Sequence, residues 1–295
     1  MKIRVLGVVG AGIMGQGITQ VALQAGLHVF LQDLEEGILK RARDRLVSGL
    51  AKGVMQGALS DAEQDEMLNR LTLTTDPSDL AAADFLIEAA TEDFSVKRAV
   101  FQTVDRVCRP EVILATNTSS ISITKIATTT SRPTQVIGMH FFNPVPRMSL
   151  VEVIRGLATG DETVKVTRQV AERLGKVPVE ANDSPGFISS RIIASMVNEA
   201  AYLLMEGVGT VEAIDTVIRL GANHPMGPLA LGDLIGLDVC LAVMRTLHEG
   251  LGDSKYRPCP LLVRMVEAGY LGRKSGRGFY TYDEDARGEI RAPDL

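Results

Sequence analysis

The stretch Val5-Leu6-Gly7-Val8-Val9-Gly10-Ala11-Gly12-Ile13-Met14-Gly15 decides the fold. A short, partly β-branched apolar run ends in Gly-x-Gly-x-x-Gly. A helix-compatible segment follows from Ile13 to Ala25 and stops at Gly26. The order is strand, tight turn, helix N-terminus. Gly10 lets the chain turn sharply, Gly12 has no Cβ to keep a pyrophosphate from the backbone, and Gly15 lets the helix lie close to the strand. The helix start offers unpaired N–H groups and a positive dipole end to phosphates. A glycine-rich turn alone is a weak signal, so its surroundings matter.

A second strand, His28–Gln32, ends in Asp33, close to the usual ~20 residues beyond the glycines. A carboxylate there accepts hydrogen bonds from both hydroxyls of an adenosine ribose and repels a 2′-phosphate. Leu34, not an arginine, follows it. The pair of features predicts NAD rather than NADP.

Composition narrows the classes. The chain has 295 residues, 45% apolar and 23% charged, which fits a globular protein with two domains. A net charge of −5 supplies no general field for nucleic acid or an anionic membrane. No apolar run is long enough to span a bilayer, and the first strand begins without a signal-peptide pattern. That reading places the protein in the cytoplasm, unless a transit segment precedes this sequence. Cys108, Cys240 and Cys259 are scattered, as are His28, His140, His224 and His248. None has metal-ligand spacing, so reduced buried thiols and no metal site are expected.

Strand-like runs are Arg4–Val9, His28–Gln32, Leu71–Thr74, Phe85–Ala89, Val112–Thr116, Val136–Phe141, Leu150–Ile154 and Val177–Glu180. Helices fill most gaps: Glu35 to Leu50 has apolar residues at helical spacing, Ser60 with Glu63 forms a capping box, and Phe94 to Val107 is a third. This alternation predicts an α/β Rossmann-type, parallel, doubly wound sheet over 1–184. The pattern changes at Asp183-Ser184-Pro185-Gly186. An all-α C-terminal domain is expected over 185–295, with Ser184 as cap and Pro185 in the first helical turn. Its first helix, Phe187 to about Met205, is apolar almost all round and must be covered, by its own domain or by a second subunit. Thr210 and Gly227-Pro228 open further helices. Strand character returns at Phe279-Tyr280, and the charged tail from Asp283 is expected to fray.

Hydride transfer to a nicotinamide requires a base for the substrate hydroxyl proton, and His is best poised near neutral pH. His140 ends a strand, where open α/β sheets bind ligands. Glu152 sits among apolar residues on the next strand, and buried acids need partners. The turn Asn143-Pro144-Val145-Pro146 can fold that strand back, so that Glu152 orients His140; a surface pair with Arg147 or Arg155 is the alternative. Thr116-Asn117-Thr118-Ser119-Ser120 follows another strand end. Its hydroxyls can cap a helix from Ile121 or face a substrate oxygen. Asn143 can meet the cofactor or simply hold the turn.

These stretches, together with Ile87-Glu88-Ala89-Ala90-Thr91-Glu92-Asp93 leading to Lys97, His224-Pro225-Met226-Gly227-Pro228 and Gly272 to Tyr280, run in one order through nearly the whole chain. In that order the sequence resembles the 3-hydroxyacyl-CoA dehydrogenase family, 3-hydroxybutyryl-CoA dehydrogenases included. The resemblance implies reversible, NAD-dependent oxidation of an (S)-3-hydroxyacyl-CoA and a helical domain that forms a homodimer. It implies His140 as general base, Glu152 as its partner and Ser119 on the substrate oxygen, with Asn143 also in the catalytic group. Around the cofactor it implies Gly10, Ala11, Gly12, Ile13, Met14 and Gly15 in the turn. Asp33, Glu92, Lys97, Asn117, Ser119, Asn143 and Lys274 complete that set.

One position departs: Ser190 stands where the family usually has Asn before Arg191. Its hydroxyl still hydrogen-bonds, with shorter reach and one polar atom instead of two. Coenzyme A phosphates need local positive charge, and Arg41, Arg45 and Lys52 share one face of the helix after Asp33. Arg45 and Lys52 are the substrate candidates there, although an ordinary solvated face reads the same way. Two other readings stay open: a dehydrogenase of a free hydroxy acid or sugar acid, and a non-enzymatic NAD-binding protein.

Overall fold

The computed structural model describes residues 3–282 and 290–291. The chain divides into two units, Met1–Ser184 and Pro185–Leu295.

The first unit alternates strands and helices: β1 (Val5–Val9), α1 (Ile13–Gln24), β2 (His28–Gln32), α2 (Glu36–Met55), α3 (Asp61–Asn69), β3 (Leu71–Thr74) and β4 (Phe85–Glu88). It continues with α4 (Phe94–Val107), β5 (Ile113–Thr116), α5 (Ile123–Ala127), β6 (Val136–Phe141), β7 (Leu150–Arg155), α6 (Asp161–Arg173) and β8 (Val177–Asn182). The strands form one sheet in the order β3-β2-β1-β4-β5-β6-β7-β8. The first six run parallel; β7 returns antiparallel to β6, and β8 lies parallel to β7. The sheet is therefore Rossmann-type with a reversed edge pair, not parallel throughout. Winding changes direction at β1, which pairs with β2 on one side and β4 on the other. Ligands bind open α/β sheets at such a switch point.

Sequence explains most of this locally. Central strands carry apolar side chains to both faces: Leu6, Val8, Phe85, Leu86 and Ile87 have no exposure, as parallel strands covered on both sides require. Burying each such side chain contributes roughly 1.5–3 kcal/mol. Helix α2 packs Leu39, Ala42, Leu46 and Leu50 inward and runs past the expected Leu50 to Met55. The Ser60 capping box forms: Ser60 N–H donates to Glu63 Oε2 at 2.7 Å, and Ser60 Oγ accepts from Glu63 N–H at 3.3 Å.

Two expected helix starts move. The segment from Ile121 is not yet helical; α5 begins at Ile123, where the Ser122 hydroxyl accepts from Lys125 N–H at 3.1 Å. The helix expected from Phe187 begins at Ser189. Gly186 and Phe187 take left-handed backbone, at φ 71° and 47°, so Ser184 and Pro185 lead into a bend instead of capping.

The second unit holds α7 (Ser189–Met205), α8 (Val211–Gly221), α9 (Pro228–Ile235), α10 (Leu237–Leu251) and α11 (Pro260–Glu267). Their core gathers Leu229, Leu237, Leu241, Leu262 and Phe279. Thr210 caps α8 by accepting from Ala213 N–H at 3.2 Å. On α7, Ile192 stays 62% exposed. A short antiparallel pair, β9 (Thr281–Tyr282) and β10 (Ile290–Arg291), follows. It starts just after the expected Phe279-Tyr280, and Ile290 and Arg291 are paired, not frayed. The rest of the tail from Asp283 lies outside the described residues.

The tight approach of α1 to the glycine turn is testable. A Cβ on Gly15 would lie 1.8 Å from the Gly10 carbonyl oxygen. Gly15→Ala must push α1 off the turn and should cost about 1–3 kcal/mol, read from the urea midpoint; an unshifted midpoint would show that the turn yields freely.

Candidate active site

The carboxyl ends of β1, β2, β4, β5 and β6 share one sheet edge, and most of the predicted site residues gather there. The glycine turn leaves β1. Gly10 takes φ 99°, and a Cβ on it would sit 2.6 Å from the Ala89 carbonyl oxygen. A Cβ on Gly12 would meet nothing within 4 Å, so open space lies beside the backbone at the start of α1. No side chain caps α1 at Gly12, so the N–H groups of its first turn, at Ile13 and Met14, point outward from the helix end. Asp33, at the end of β2, holds this turn: Oδ2 accepts from Ala11 N–H at 2.7 Å and Oδ1 from Leu34 N–H at 2.7 Å.

His140 and Glu152 face each other across β6 and β7 as register partners. Directly opposed residues of antiparallel strands share one face and touch. His140 Nδ1 lies 2.8 Å from Glu152 Oε2, and the side chains are 11% and 2% exposed. Val151 and Val153 flank the acid and are fully buried. Of the two alternative surface partners, Arg155 binds Asp161 at 2.7 Å and Glu180 at 3.1 Å. The tautomer in which Nδ1–H donates to the carboxylate leaves Nε2 as an acceptor. The Phe142 ring packs against the imidazole, with centroids 4.7 Å apart.

The loop after β5 is built around Glu92. Its Oε1 accepts from Thr118 Oγ1 at 2.6 Å, Ser119 N–H at 2.9 Å and Ser119 Oγ at 3.2 Å. Asn117 ties this loop to the histidine strand: its Oδ1 accepts from Phe141 N–H at 2.9 Å. Lys97, on the inner face of α4, has no exposed surface. Its Nζ donates to Glu88 at 2.8 Å and to the Asn117 carbonyl at 3.3 Å, and lies 3.5 Å from Glu92. The structure thus places Lys97 behind Glu92, with no exposed surface of its own. Burial raises the Glu92 pKa, but the Lys97 charge and the bonds from Thr118, Ser119 and Ser120 outweigh it and hold the carboxyl below its ordinary range.

The remaining predicted residues have other surroundings within their own units. Asn143 is exposed in the β6–β7 turn, and Arg45 and Lys52 are exposed on α2, in no ion pair among the described residues. Ser190 and Lys274 belong to the second unit. Ser190 is half-buried in the first turn of α7, and Lys274 Nζ pairs with Asp238 Oδ2 at 2.7 Å. A cavity of about 300 Å³ bounded by Glu111, Ile113, Thr134 and Gln135 lies at the opposite edge, where β5 and β6 begin, and holds none of these groups. Glu88 received no role from the sequence. Its signal was there: an acid ending the otherwise apolar run Phe85-Leu86-Ile87, the same sign that marked Glu152.

Comparison with known proteins matches the same two parts of the chain. Residues 5–184 match the family model "3-hydroxyacyl-CoA dehydrogenase, NAD binding domain", and residues 186–282 match the corresponding C-terminal domain. The chain is 52% identical over 284 residues to a "Probable 3-hydroxybutyryl-CoA dehydrogenase" of Bacillus subtilis, covering 96% of this chain and 99% of the relative. It is 51% identical over 280 residues to the 3-hydroxybutyryl-CoA dehydrogenase of Bradyrhizobium diazoefficiens, covering 95% and 96%. The crystal structure of (S)-3-hydroxybutyryl-CoA dehydrogenase from Ralstonia eutropha is similar with a TM-score of 0.94 and 47% identity, covering 96% of this chain and all of that one.

The Glu92 environment gives a pH dependence. A carboxyl held low binds fewer protons folded than unfolded. Its stabilisation is complete above the ordinary glutamate value of 4.5 and fades as the pH falls through that range. The stability advantage of the wild type over Glu92→Gln should therefore shrink on acidification, followed by urea denaturation across pH; an advantage independent of pH would contradict it.

Proposed function

The chain belongs to the 3-hydroxyacyl-CoA dehydrogenase family, an NAD-dependent oxidoreductase family, and from that premise we propose how its own residues carry the reaction. The reaction oxidises a 3-hydroxyacyl-CoA to the 3-ketoacyl-CoA. We propose the (S)-3-hydroxy stereoisomer, with 3-hydroxybutyryl-CoA among the substrates, in keeping with the names of the relatives.

The site fits a dinucleotide. The open space beside Gly12 would admit the pyrophosphate, and the first N–H groups of α1 would bind it. Asp33 would accept from the adenosine ribose with the lone pairs that Ala11 and Leu34 do not use. Glu92, Asn117, Asn143 and Lys274 are the further contacts this reading assigns. When bound, NAD supplies the hydride acceptor.

His140 Nε2 takes the proton of the substrate hydroxyl. Glu152, 2.8 Å away on Nδ1, fixes the ring and offsets the imidazolium charge that results. This buried pair is the single observation that carries the reading. Ser119 donates to the substrate oxygen as it gains carbonyl character, exchanging its 3.2 Å contact with Glu92. Asn143 and Ser190 steady the substrate, and Arg45 and Lys52 meet coenzyme A phosphates.

Among the described residues no helix is long and apolar enough to cross a membrane. Three free, buried cysteines suit a reducing compartment, and we assign the protein to the cytoplasm. We also propose a homodimer through the helical unit, supported by Ile192, Val217 and Leu220, which are 62%, 66% and 72% exposed.

Kinetics and light scattering test this. With acetoacetyl-CoA the wild type should consume NADH, and free acetoacetate should be a poor substitute. His140→Ala should lose roughly 10²–10⁴ in turnover yet still bind NADH; near-normal turnover would remove His140 from the chemistry. For the assembly, light scattering should give a dimer that Leu220→Asp dissociates, and a monomeric wild type would end that proposal.

A further inference from the structure

Behind the reactive groups lies a fully buried ion pair with no part in the chemistry just described. Glu88 ends β4 and has no exposed surface, and neither has Lys97. Each Glu88 oxygen accepts from Lys97 Nζ, at 2.8 and 2.9 Å. Oε1 also accepts from Ala90 N–H at 2.7 Å, and Oε2 from Thr116 Oγ1 at 2.5 Å. Burial pushes the Glu88 carboxyl upward, and the Lys97 charge is what chiefly opposes it.

Two site elements end on this carboxylate. The Ala89–Ala90 peptide, fixed by the Ala90 bond, is the surface on which Gly10 presses: a Cβ there would lie 2.8 Å from Ala90 N. On the other side, Lys97 carries the hold onward to the Asn117 carbonyl and to Glu92, and so to the Ser119 loop. Asn117 N–H also donates to the Glu88 carbonyl at 2.7 Å.

Stability alone does not account for such a pair. Taking two charges out of water costs several kcal/mol per ion, and apolar residues of similar volume often serve stability as well or better. What the pair adds is direction: fixed bonds from one carboxylate to two loops of different strands. We propose that Glu88 is a positioning residue, which through Lys97, Ala90 and Thr116 sets the glycine turn and the Ser119 loop in register with each other. The inference rests on the reading of the site given above.

The test compares Glu88→Gln, the charge-free pair Glu88→Gln/Lys97→Met, and Thr116→Val, which removes one donor to the same carboxylate without changing shape. NADH affinity is read by fluorescence titration and turnover with acetoacetyl-CoA. Hydrogen exchange of the Ser119 and Ser120 amides is followed in the ligand-free protein, with thermal melting alongside. Glu88→Gln should weaken NADH binding and lower turnover, each by about 10- to 100-fold, with faster amide exchange in the loop. The double variant should regain the melting temperature but neither NADH affinity nor turnover. Thr116→Val should shift both in the same direction by a few-fold.

A purely structural role predicts the opposite: a double variant that recovers stability and activity together. That recovery overturns the proposal. So does NADH affinity within about twofold of wild type in Thr116→Val, which also decides the matter should the Glu88 variants not fold. Loss of the proposed reaction itself would show separately, as a wild type that binds NADH and does not turn over acetoacetyl-CoA.

Discussion

The antiparallel return of β7 onto β6 is the constraint on which the site depends. It sets Glu152 opposite His140, and a strand slipped by one residue would turn the acid to the other face and bring a valine opposite the imidazole. Val151 and Val153, fully buried, resist that slip because both faces of β7 are covered. Register is thus held by apolar packing, and the packing delivers the one polar pair. The parallel strands then gather the rest, since each ends at the same edge as His140.

Four buried acids show how the fold separates chemistry from architecture. Asp215 accepts from the Leu229 and Ala230 N–H groups and the Tyr280 hydroxyl, and Asp233 from the Phe279 and Tyr280 N–H groups and the Tyr282 hydroxyl. Backbone and phenol donors of that kind tie segments of the second unit together. Glu152 binds the imidazole of His140, and Glu88 stands between the two kinds, adding the ammonium of Lys97 to its bonds from the Ala90 N–H and the Thr116 hydroxyl. Desolvation makes every one of these acids costly unless it is satisfied, and the nature of the partner distinguishes a latch from a site.

The fold was legible because its signals are local. Alternating apolar runs, the glycine turn, the Ser60 capping box and the Thr210 cap each need only a few neighbouring residues. The pairing of His140 with Glu152 was also within reach, because an acid inside an apolar run demands a partner and a proline-rich turn supplied the return. The backbone at Gly186-Phe187 was less accessible. Its left-handed bend lies in a tightly packed stretch, where a Cβ on Gly186 would come within 2.9 Å of Leu247. The true start of α5 was hidden similarly, since Thr118 spends its hydroxyl on Glu92 and on the loop amides.

By itself the sequence determined the element order, the glycine turn with an acid closing the next strand, the histidine and its carboxylate, and the family. The elements and the paired groups follow from residue type and spacing along the chain, and the family from the resemblance of its ordered motifs. Only the tertiary structure decided that Lys97 is sealed behind Glu92, that Asn117 holds the Phe141 amide, and that Glu88 joins two loops. Those contacts span 9 to 28 residues of chain and cross between strands and helices. No periodicity encodes them, because a buried charge is positioned by whatever the packed sheet brings to it.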